Sequence, residues 1–139
     1  MAFGFLIGVP FTVASFAGLL ATSVVVALFG GAFGVIVLAN LSSQRAANQI
    51  FPFILLPQYF LAGVFNPIVG LPWYLDIVSR LSPMRYAVDL QRGVLYAGRP
   101  EYPRTVLADP LTNLAIMAVL FTVFLVLGTL LFVRAERNR

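Results

Sequence analysis

Arg85, Asp89 and Arg92 stand at i, i+4 and i+7 of one short stretch. On a helix these positions share a face. Such a trio supports two chemistries. The guanidiniums can hold an anionic headgroup or line a gate. Alternatively, the carboxylate between them pairs with both and holds the shape of the helix. Charge at membrane depth costs about 2.5–3.5 kcal/mol on insertion scales, so it needs a partner. Asp89, flanked by two Arg, offers one, and its loss is expected to hurt more than loss of the outward-facing Glu101. A second set is aromatic. Phe51, Phe53, Tyr59, Phe60 and Phe65 crowd one apolar run, where they either face cargo or pack against lipid.

Other chemistries are closed off by composition. The chain has no Cys, His or Lys, and all nine positive charges are Arg. Thiolate and imidazole metal sites, Schiff bases and lysine dyads are therefore excluded. Asp76, Asp89, Glu101, Asp109 and Glu136 are the only acids. No nucleophile–base pair and no Walker motif is present, so neither a catalytic residue, a cofactor site nor a metal site is expected. No ionisable residue falls within 1–44, 46–75 or 110–133. Ion-coupled transporters usually keep one at the midplane. Any energy for transport would then come from another chain.

The elements that position these residues follow from hydropathy. Of 139 residues, 60% are apolar and 10% charged, with a mean hydropathy of +0.95. A soluble domain carries roughly 25% charged residues. A cytosolic enzyme, a nucleic-acid-binding domain and a disordered tail are all disfavoured, despite a net charge of +4 and a pI near 10.1. The chain reads as an all-α, polytopic membrane helical bundle. A span needs about 20 residues. The uncharged stretch to Gln44 is too long for one, and Pro10 divides it. The expected parts are a partial span over 1–10, full spans over about 14–40, 48–65 and 110–133, and a hairpin over 72–98. They form one transmembrane domain, expected to belong to a longer protein. Pro52 and Pro57 predict a kink in the middle span. Asp109-Pro110 predicts the start of the last one, and Ser82-Pro83 the start of the second hairpin helix. In the first hairpin helix Trp73, Tyr74, Ile77, Val78 and Leu81 share an apolar face, with Asp76 and Arg80 paired on the other. The hairpin is too short to cross and reads as re-entrant or interfacial.

The order of these parts resembles the permeases of ABC-2 type transporters. The resemblance rests on Tyr59 to Pro67, on Leu71-Pro72-Trp73, and on Pro83, Tyr86, Asp89 and Arg92 in a Pro-x-x-Tyr-x-x-Asp-x-x-Arg pattern, all before a final span. It extends over residues 14–139. It implies the membrane subunit of an exporter of drugs, lipids or glycans, working by alternating access. Its partners would be an ABC ATPase, a second permease chain, like or unlike, and the lipid bilayer. It also implies a cytoplasmic C-terminus and an extracytoplasmic region at 67–109. Arginine counts on the two sides, four against five, do not decide the orientation. Such permeases have six spans, so the chain corresponds to a C-terminal half.

Two other readings compete. One is a small membrane protein without transport activity, or a truncated permease remnant, packed into a larger complex. The other is a channel using 67–98 as a pore loop, which lacks a polar stripe on any span. The Gly30-x-x-x-Gly34 and Gly4-x-x-x-Gly8 pairs allow close helix crossing, within the chain or between chains.

Overall fold

The computed structural model describes residues 12–39, 41, 43–65 and 68–137. The expected partial span over 1–10, with Gly4 and Gly8, lies outside the described residues, as does the Asn66-Pro67 turn. The described chain is helical, without strands. Its helices are α1 (Val13–Ala39), α2 (Gln44–Leu61), α3 (Trp73–Arg80), α4 (Pro83–Leu95), α5 (Tyr102–Thr105) and α6 (Pro110–Arg137).

Among the described residues, α1 and α6 are long and apolar enough to cross a membrane. In each, only 11% of the most apolar window is buried, so neither is the core helix of a water-soluble fold. α6 begins as expected: the Asp109 carboxylate accepts from the Leu111 amide at 3.0 Å, and Pro110 takes the first position. The expected middle span comes out differently. α2 runs over 44–61 rather than 48–65, and it is not apolar enough to count with the other two. Its first turns carry Gln44, Arg45, Asn48 and Gln49.

Both ends of α2 have local causes. Ser43 is extended, and its hydroxyl accepts from the Ala46 amide at 3.2 Å. At the other end Gly63 adopts φ +69. The Val64 amide donates back to the Tyr59 carbonyl and the Gly63 amide to the Phe60 carbonyl, both at 3.1 Å. This double closure needs a left-handed residue, which glycine supplies without steric cost. The helix passes through both Pro52 and Pro57. Each lacks an N–H, which leaves the carbonyls of Asn48 and Phe53 without their helical donors.

The body of the fold is α1, α4 and α6 packed together. Phe29, Ala87, Leu90 and Met117, one or more from each helix, form the core. The Phe124 ring joins Phe29 at 5.9 Å and Phe33 at 5.5 Å. α1 and α6 approach closely at Gly128, where a Cβ would lie 3.1 Å from the Ile36 amide nitrogen. α2 makes its main contacts with α4 and α3 instead. That leaves a gap between α1 and α2.

Candidate functional site: the helix that joins the parts

α4 touches every other helix of the hairpin and the body, and the four residues of its pattern each make a different joint. Pro83 opens the helix at its first position. The Tyr86 hydroxyl donates to the Arg80 carbonyl at 2.8 Å and ties α4 to the end of α3. The Asp89 carboxylate accepts from the amides of Leu107 at 2.8 Å and Ala108 at 2.9 Å, and from Asn113 Nδ2 at 2.8 Å. It therefore holds the segment before α6 and α6 itself. Arg92 Nη2 donates to the Gly63 carbonyl and ties α4 to the closing turn of α2.

These partners replace the expected ion-paired face. Asp89 is buried and pairs with neither Arg85 nor Arg92. Three donors, two of them backbone N–H groups, satisfy the carboxylate instead. Gly93 lets this side close, since a Cβ there would meet Pro110 Cγ at 2.9 Å. Arg85 turns toward the hairpin. Its Nη1 donates to Asp76 Oδ1 at 2.8 Å, to the Asp76 carbonyl at 3.2 Å and to the buried Ser79 hydroxyl. The expected Asp76–Arg80 pair is present at 2.8 Å. Held first by the Arg85 guanidinium and then by Arg80, the Asp76 carboxyl sits below its ordinary value of 3.8. Ser82 does not cap α4 with its side chain; its hydroxyl is buried, and nothing in the structure explains it.

On the opposite side of α4 lies a cavity of about 480 Å³, walled by α1, α2 and α4. Its wall is apolar, with Leu19, Phe29 and Phe33 from α1 and Leu55 from α2. Three polar side chains reach it: Gln58, Gln91 and Arg92. The Gln91 amide is engaged by α1. It donates to the Ser23 hydroxyl at 3.2 Å, and the Thr22 hydroxyl lies 3.2 Å from its oxygen.

The five aromatic candidates separate. Phe51 lines the cavity. Phe53, Phe60 and Phe65 are 81%, 69% and 75% exposed, so they face outward from α2 and its turn. Tyr59 is half-buried, with its ring 6.4 Å from that of Phe65. Phe29, Phe33 and Gln91 were not among the sequence candidates. Their signal was weak, since they sit in runs that read as ordinary span or amphipathic helix. Gly30 and Gly34 also line the cavity, and a Cβ at either would meet nothing within 4 Å. The pair makes no close crossing among the described residues.

Trp73, Tyr74, Ile77, Val78 and Leu81 are exposed together along α3 and its end. They form a continuous apolar face on the hairpin.

Comparison with known proteins reaches the same place as the pattern on α4. The family model described as "ABC-2 type transporter" matches residues 1–96, more than half of the chain. The match takes in α1 to α4 and all four pattern residues. Neither a curated protein nor a solved structure matches the chain. The chain therefore belongs to the ABC-2 type transporter family, whose members are membrane-embedded permeases.

Proposed function

We propose that the chain is a membrane permease subunit, or the C-terminal half of one, in an ATP-driven exporter. It forms a single transmembrane domain within a longer six-span permease. α1, α6 and, despite its polar first turns, α2 are its three full spans, and α3 with α4 forms a re-entrant or interfacial hairpin. The C-terminal tail with Arg134 and Arg137 is cytoplasmic, and the region 67–109 is extracytoplasmic. A separate ABC ATPase hydrolyses ATP. A second permease chain, like or unlike, completes the path, and cargo crosses by alternating access.

The observation that carries this reading is the cavity between α1, α2 and α4 in a chain of a permease family. A wall that is largely apolar with a few convergent polar groups suits an amphipathic molecule, whether drug-, lipid- or glycan-like. Phe51 is the aromatic contact that α2 puts on that wall. Phe53, Phe60 and Phe65 face lipid or the second permease chain. Around the cavity, the joints made by Arg85 and Asp89 keep α4 in place. The apolar face of α3 lies at headgroup depth, with Trp73 and Tyr74 as interfacial rings.

Pull-down of the tagged chain from gently solubilised native membranes, followed by mass spectrometry, tests the reading. Co-purification with an ABC ATPase is expected. Recovery without any ATPase would instead make the chain a non-transporting membrane protein or a permease remnant in a larger complex. Single cysteines introduced into this Cys-free chain test its orientation. Labelling of residues 75–100 from the cytoplasm would overturn the topology.

A further inference from the structure

Arg92 is the polar group on the cavity wall whose charge is least accounted for. It is half-buried, and among the described residues a single hydrogen bond, to the Gly63 carbonyl, engages its guanidinium. Among the described residues it has no acidic partner. Asp89, three residues earlier, is spent on Leu107, Ala108 and Asn113. A guanidinium carries five N–H donors in a planar fork. Most of that fork is unspent, beside an apolar space of about 480 Å³. A half-buried guanidinium with spare donors beside an apolar wall pairs strongly with an anion that reaches it. Gln58, on the facing helix, also lines the space, and among the described residues no hydrogen bond engages its side-chain amide. Gln91 contributes less, because Thr22 and Ser23 already hold it.

We infer that this cavity binds an anionic amphipath, a phosphate or carboxylate headgroup on an apolar chain. Arg92 pairs with the head, Gln58 donates to it, and the chain lies along Phe29, Phe33 and Leu55. The inference rests on the permease reading for its role as cargo, and names its chemical class. The headgroup forms charge-assisted hydrogen bonds, which are the strong ones in a site of low polarity. Both a bilayer lipid and a single-chain exported compound offer this chemistry.

The test is retention of ligand by the full chain in a non-ionic detergent, read by native mass spectrometry. Dodecyl phosphate and dodecyltrimethylammonium are compared at equal concentration. One dodecyl phosphate per chain is expected to be retained, and the cation is not. Arg92→Gln is expected to weaken retention about ten- to a hundredfold, and Arg92→Lys to keep most of it. Because Arg92 also ties α4 to α2, its loss can unfold the chain. Gly30→Leu then decides, since it fills the cavity from a position where an added Cβ meets nothing. It is expected to abolish retention with Arg92 in place. Phosphatidic acid as competitor separates the sources. Displacement of dodecyl phosphate identifies a bilayer lipid, and no displacement identifies a single-chain compound. Equal retention of the two dodecyl probes would overturn the inference, as would wild-type retention in folded Arg92→Gln or in Gly30→Leu. None of these readouts needs an ATPase, so binding can fail while co-purification succeeds, and the reverse.

Discussion

Asp89 and Arg92 stand three residues apart on α4, yet the chain treats their charges in opposite ways. Asp89 is buried, and three donors converge on it from the segment before α6 and from Asn113. Arg92 has one carbonyl and borders an open cavity. The same asymmetry runs through the neighbouring helices. Toward α6 the packing is tight, with Gly93 against Pro110 and Gly128 against Ile36. Toward α2 it is loose, and Gly30 and Gly34 face space. A buried carboxylate with a full set of donors belongs to the part that stays fixed. A cation with spare donors at a cavity is the group that the proposed headgroup would meet.

The largest effect is expected from breaking the fixed side. Asp89→Leu leaves two part-buried backbone amides and the buried Asn113 amide without their acceptor. Each buried donor left unpaired costs roughly 1–3 kcal/mol, so a loss of about 3–5 kcal/mol is expected. Glu101→Leu serves as the control, because Glu101 is exposed. The measurement is the temperature at which the detergent-solubilised chain stops eluting as a single species. A marked drop for Asp89→Leu beside no change for Glu101→Leu upholds the contrast. Equal behaviour would remove it.

Two glycines sharpen the same comparison at a smaller scale. A Cβ at Gly128 would stand 3.0 Å from Val35 Cγ1 and 3.2 Å from Ile36 Cα. The second of these is backbone, which cannot step aside without moving α1. Gly128→Ala is expected to destabilise by about 1–3 kcal/mol through overpacking. Part of this is offset by the better helix propensity of alanine, about 1 kcal/mol. Gly30→Ala meets nothing, so only the propensity gain remains, and a slight stabilisation is expected. The same elution assay reads both. Opposite signs support a closed α1–α6 side and an open α1–α2 side, and a Gly128→Ala as stabilising as Gly30→Ala would mean that α1 and α6 do not approach as closely.

How much of this was legible in the sequence depends on how far apart the partners lie along the chain. The Asp109 cap of α6 and the Asp76–Arg80 pair were legible, because each joins residues within one helical turn. The Asp89 site was not. The i+4 spacing made Arg85 the obvious partner, and only the turn at Leu81-Ser82 shows that Arg85 points back to Asp76 instead. Backbone amides at 107 and 108 carry no side-chain signal at all. The ends of α2 were legible in principle. Ser43 is a good N-cap, and Gly63 a good left-handed residue, but both sat inside or beside an uncharged run that hydropathy alone reads as continuous span. The cavity was legible only through Phe51, since α1 residues reach it by packing rather than by pattern.

The smallest effect is expected at the tip of the hairpin, where Asp76 holds Arg85 and Arg80. Its side chain is within reach of solvent, so water and salt weaken the pairing. Its folded-state pKa lies below the ordinary 3.8 because Arg85, and then Arg80, favour the charged form. A depressed carboxyl contributes stability that is present above its unfolded value and is lost as pH falls through the folded one. The hairpin should therefore be indifferent to pH from about 8 down to about 5 and respond only in stronger acid. Trp73 is the sole tryptophan and opens the same short helix, so its emission reports on α3. A flat emission profile that breaks only in acid is expected for the wild type. Asp76→Asn should show the acid-state emission at every pH, with no break. A break near neutrality would mean that another group governs the hairpin.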